Sequence, residues 1–190
     1  MTKHYALKYI SLLIVACCCA CLGKAQQYQL KELVTNEMIQ LNSATRIGGK
    51  TRTHLPLRLP AGCIGFVYSM NANNPDKPVE NNFSMIAGLA SLLGTGNMAV
   101  STAVSRLSIP TGTESADIYF ILSYNDVQNF EAKNSFTYIP DYSRTNRSAT
   151  SVFVAFPQKM PEQTVYLGIR NPSAFNKIAV TLNVTAVFEE

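Results

Sequence analysis

The chain has 190 residues, with 16 Lys and Arg against 12 Asp and Glu and a formal charge of +4. Three of those cations (Lys3, Lys8 and Lys24) precede residue 26, where no acid occurs, so the following 165 residues carry 13 basic against 12 acidic side chains and a charge of +1. That near-neutral balance gives no ground for a nucleic-acid partner, and one His (His54), one Cys (Cys63) and no Trp beyond residue 25 exclude a His- or Cys-rich metal centre and an internal disulfide there.

Residues 1–25 read as an export signal, with a basic start (Lys3, His4, Lys8), an apolar stretch from Tyr9 to Leu22 and small residues at Gly23 and Ala25. Cleavage after Ala25 is the first expectation. The stretch is shorter than the ~20 residues a spanning helix needs. An alternative is a lipoprotein signal, because Ile14-Val15-Ala16-Cys17 resembles the bacterial lipobox; Cys17 would then be lipidated, and a lipid anchor would be the chain's only link to a membrane. Residues 26–190 are expected to form a single domain, since their length is one domain's worth and can bury a substantial core.

Most of that region has strand character. Thr51 to Leu59 alternates Thr53, Leu55, Leu57 and Leu59 with Arg52, His54, Pro56 and Arg58, which predicts a half-buried strand; Pro56, lacking an N–H, places it at an edge or a bulge. Met38 to Ile47 is the expected hairpin partner, joined through Gly48-Gly49. Cys63 to Met70 follows as a core-facing strand, with Cys63 a small buried hydrophobe.

From Asn81 to Ser105 there is no charged residue. Met85, Ile86, Leu89, Leu92 and Leu93 share a helical face, with Asn82 as cap and Gly94 to Gly96 as stop; Val100, Ala103, Val104 and Leu107 predict a second short helix capped by Asn97. These helices are expected to cover one end of the fold, and a membrane-inserting element over residues 81–105 is the sharper alternative. Ala116 to Tyr124, Thr150 to Phe156, Thr164 to Arg170 and Lys177 to Phe188 complete six individually recognisable strands. Short connections between successive strands predict a mainly β protein, an antiparallel β-sandwich of about seven to eight strands with one or two short helices around residues 83–107.

Chemistry-bearing constellations are sparse. A Ser-His-Asp triad would have to use His54, and no G-x-S-x-G turn is present; neither phosphate-binding glycine motif occurs, and no cofactor is implied. A carboxylate-based hydrolase needs only two acids a fixed distance apart and stays open as an alternative. The stretch from Asn125 to Arg147 reads as a binding loop, with Tyr138, Tyr142, Arg144 and Arg147 as candidate contacts among Asn, Ser and Asp, whereas Phe136 reads as a core residue.

At Gly48-Gly49-Lys50-Thr51-Arg52, Leu59-Pro60-Ala61-Gly62 and Tyr166-Leu167-Gly168-Ile169-Arg170-Asn171-Pro172, the chain resembles uncharacterised secreted β-sandwich proteins of Gram-negative bacteria. The terminal alternating strand is similar, more distantly, to GOLD-type modules. The resemblance implies a fold and a route and carries no catalytic residue. The function expected is that of an exported, non-catalytic envelope or secreted module that binds a protein or glycan partner through loops or an edge strand.

Overall fold

The computed structural model describes residues 27–76, 83–94 and 98–190. The expected export signal, the alternative lipid site expected at Cys17 and the expected caps Asn82 and Asn97 lie outside the described residues. In chain order the elements are β1 (Tyr28–Leu41), β2 (Arg52–Leu59), β3 (Gly65–Asn73), α1 (Met85–Leu93), α2 (Val100–Ser105), β4 (Ala116–Ile121), α3 (Tyr124–Glu131), β5 (Ile139–Arg147), β6 (Ala149–Ala155), β7 (Gln163–Arg170) and β8 (Ile178–Glu189). They form an antiparallel β-sandwich of two four-stranded sheets, ordered β1-β8-β3-β6 and β2-β7-β4-β5.

The period of two read along the chain sets which side chains meet. Ile178, Val180, Leu182, Val184 and Ala186 of β8 face inward beside Phe66, Tyr68 and Met70 of β3, and across from them stand Leu57, Ile118, Phe120, Leu167 and Ile169 of the second sheet. Phe66 and Phe120 touch across the interface with ring centroids 5.7 Å apart. Cys63 lies in the same core with no exposed surface, as a small hydrophobe.

β2 is an edge strand, as Pro56 requires, with Pro56 opposite Tyr166. Its expected hairpin with Met38 to Ile47 does not form. β1 instead runs along β8 from Tyr28 to Leu41, and the chain crosses to the other sheet through a loop closed by Asn42 N–H donating to the Lys50 carbonyl at 2.9 Å. Gly48 takes φ +80° within that link, a conformation glycine adopts without a steric penalty. The expected hairpin lost because β8 offers a longer apolar complement, placing Ile39 and Leu41 on the shared core. β1, which holds Glu32 and Glu37, is an edge strand, bulged between Glu32 and Val34 and again before Glu37. Charges and bulges on an exposed edge discourage pairing with another chain.

α1 starts where Ser84 Oγ accepts the Ala87 N–H and ends at Gly94. With α2 it lies on the outer face of the first sheet, rather than across the open end between sheets: Met85, Leu89, Val100, Ala103 and Val104 pack on Val67 and Val187. The apolar face read from the uncharged segment thus has a partner in this fold. β4 stops at Ile121, short of the expected Tyr124, because Ser123 caps a helix there.

Candidate functional site

The stretch expected as a binding loop is a helix followed by a strand. Ser123 Oγ accepts the Asp126 N–H at 3.0 Å and donates to Asp126 Oδ2 at 2.7 Å, a reciprocal cap that starts α3. Asp126 Oδ1 accepts the Thr137 N–H at 2.9 Å and ties the helix start to the approach of β5. These hydrogen bonds, the Thr137 amide first and the Ser123 hydroxyl next, hold the Asp126 carboxyl below its ordinary range.

α3 lies on the outer face of the second sheet because the sheet leaves room for it. A Cβ at Gly168 would stand 3.0 Å from Phe130 Cε1 and 3.0 Å from Ile121 Cδ1, so the bare glycine is the seat of the Phe130 ring. Phe130 and Val127 are fully buried there beside Tyr119 and Ile121. At the helix end, Arg52 Nη1 donates to the Phe130 carbonyl at 2.9 Å, and its guanidinium stands 5.3 Å from the Phe130 ring centre. A cation on the last carbonyls complements the negative end of the helix. Burial, and after it the Arg170 charge, lower Arg52 from its ordinary value.

Next to this seat is a buried ion pair. Asp117, 1% exposed, accepts Arg170 Nε and Nη2, each at 2.5 Å, and the Asn146 N–H at 2.7 Å. The Arg170 guanidinium stands 5.8 Å from the Tyr119 ring centre, and burial first, then the Asp117 charge, raises the Tyr119 phenol. His54, between arginines in sequence, is half-buried with Nδ1 3.0 Å from Glu131 Oε1 and its ring edge-on to Tyr166 and Tyr124. Among the described residues no group of three or more His, Cys, Asp or Glu converges as metal ligands would.

The four candidate contacts have different surroundings. The Tyr138 ring is held edge-on to Tyr119 at 5.0 Å and tilted on Phe136 at 5.5 Å, while 37% of the residue stays exposed. Phe136 is packed, as expected, against Phe130 at 5.0 Å and Tyr119 at 5.3 Å. Tyr142 belongs to the β5 framework: its hydroxyl donates to the Ala155 carbonyl at 2.9 Å, its ring meets Phe120, and its carbonyl accepts the Tyr68 hydroxyl at 2.6 Å. Arg144 donates to the carbonyls of Asp141 and Ser143, and Arg147 is exposed at the end of β5. A further exposed ring was not singled out: Tyr124, 55% exposed, stands on the first turn of α3. The Ser123-x-x-Asp126 cap was the signal that could have placed it on a helix.

No family model matches this sequence, and no curated protein matches it.

Proposed function

We propose that this chain is an exported, non-catalytic module that binds a protein or glycan partner at the cell envelope through the corner formed by α3 and the start of β5. The observation that carries the reading is Tyr138, a ring fixed by Tyr119 and Phe136 yet more than a third exposed. An aromatic held in place offers a flat apolar face and a hydroxyl at little entropic cost on binding, which suits stacking on a sugar ring or a peptide. Tyr124 adds a second exposed ring on the same helix-covered face. Export is supported by the basic start and apolar stretch of residues 1–25.

The test is a printed glycan array and co-purification from the producing cell's envelope, comparing the unaltered chain with Tyr138→Ala and Tyr124→Ala. Loss of binding by about tenfold or more in Tyr138→Ala supports the reading. Binding retained by both variants removes the corner from it.

A further inference from the structure

At one end of the sandwich the β1–β2 connection and the β7–β8 connection are knitted into a single tip. The Ala44 and Thr45 amides donate to the Ser173 and Ala174 carbonyls at 3.1 and 3.2 Å, and Thr45 Oγ1 donates to Ala174 at 2.6 Å. Asn171 Nδ2 donates to the carbonyls of both Asn42 and Asn176, at 3.1 and 2.7 Å. On these mutually bonded loops stand the two most exposed large apolar side chains among the described residues, Ile47 at 100% and Phe175 at 84%.

Cations are in excess around them. Arg46 lies beside Ile47 and Lys50 three residues on, and neither side chain has an ion-pair partner among the described residues. Lys50 continues into a half-open concavity of about 210 Å³ lined by Gly49, Lys50, Thr51, Arg52, Glu131 and Lys133. Of the acids at this end, Asp76 is paired with Lys177, Glu131 on the concavity wall faces His54, and Glu114 accepts from the neutral Asn176 amide, so Arg46, Lys50, Arg52 and Lys133 outnumber the two acids that have no lysine or arginine partner.

We propose that this tip docks on an anionic lipid surface, with Ile47 and Phe175 entering the boundary between headgroups and acyl chains and Lys50 and Lys133 taking a lipid phosphate at the concavity. Two protruding apolar side chains flanked by unpaired cations match the layered chemistry of that boundary, apolar below and negative above. The side chains tested here, Ile47, Lys50, Lys133 and Phe175, are not Tyr138 or Tyr124, so failure of this proposal would leave the corner reading untouched.

The chain has no Trp, so Phe175→Trp places a lone reporter on the tip, and a lipid-holding segment elsewhere in the chain does not produce its signal. The full chain carrying it is titrated with vesicles of phosphatidylcholine alone and of phosphatidylcholine mixed with phosphatidylglycerol. The expected result is a blue shift of emission with the anionic vesicles, weakened by salt. Adding Lys50→Gln with Lys133→Gln, or Ile47→Ser, should raise the lipid needed for half the shift by about tenfold or more. These side chains lie on the surface, and an unchanged circular dichroism melt confirms that each variant is folded. Emission unchanged by anionic vesicles at low ionic strength would overturn the proposal, as would a shift that Lys50→Gln with Lys133→Gln leaves intact. A response to glycerol phosphate with vesicles silent would also overturn it, in favour of a soluble phosphate ligand.

Discussion

The Asp117–Arg170 pair supports an asymmetric prediction. Asp117 is 1% exposed and accepts from Arg170 Nε and Nη2 and from the Asn146 amide, whereas 35% of the Arg170 side chain reaches solvent. Replacing Asp117 with Asn keeps the shape, removes the charge and turns an acceptor into a donor facing either the guanidinium or the Asn146 N–H. The stranded Arg170 can still be hydrated through its exposed part, so the cost falls below the ~3–5 kcal/mol of a broken, fully buried pair, to about 2 kcal/mol. Replacing Arg170 with Met leaves Asp117 buried without its cation and without a route to water. That variant should lose the full ~3–5 kcal/mol. Joining Asp117→Asn to Arg170→Met should return about 1 kcal/mol or more of the summed loss, since the two groups form one network. Urea unfolding followed by circular dichroism measures all three. Equal losses in the two single variants, or strict additivity in the double, would refute the assignment of burial to Asp117 and hydration to Arg170.

Three further outcomes follow from the same contacts. Phe130→Ala empties the seat over Gly168 and should cost about 3–5 kcal/mol, seen as a drop in thermal midpoint on the order of 10 °C; a drop of only a degree or two would mean that α3 does not depend on that ring. Because the Asp126 carboxyl is lowered in the fold, its hold on Thr137 is present above the ordinary carboxylate range and is lost as pH falls through the lowered value. The protection of the Thr137 amide, taken relative to intrinsic exchange at each pH, should then fall on acidification, and Asp126→Asn should remove that dependence while Asp141→Asn keeps it. Burial raises the Cys63 thiol and leaves it no exposed surface, so peptide mapping should find it alkylated only as the protein unfolds, and rapid labelling in the native state would contradict its place in the core.

What could be read from the sequence followed the strength of the local period. β8 alternates without interruption from Ile178 to Phe188, and β2 does so with Pro56 marking the edge, so both were legible with their faces. β1 was missed over most of its length, because its bulges around Val34 and Asn36, the latter at φ +49°, break the period of two, and because its pairing with β8 spans the whole described chain. α3 was hidden for a different reason. Its burial depends on a glycine in a distant strand, Gly168, and on Arg52 reaching its last turn, neither of which leaves a mark in residues 124–131. The candidate contacts differ along the same line: Tyr138 keeps more than a third of its surface exposed, while the carbonyl and ring that Tyr142 meets come from β6 and β4 and cannot be read from its own neighbours.

The most direct test of the proposed binding role is co-purification from the producing cell's envelope with three versions of the full chain: unaltered, Tyr138→Ala and Tyr142→Phe. A partner or glycan should be retained by the unaltered chain and by Tyr142→Phe, which removes only the hydroxyl bonded to Ala155, and lost by about tenfold or more with Tyr138→Ala. Retention by Tyr138→Ala equal to that of the unaltered chain, with its fold confirmed by circular dichroism, would contradict it.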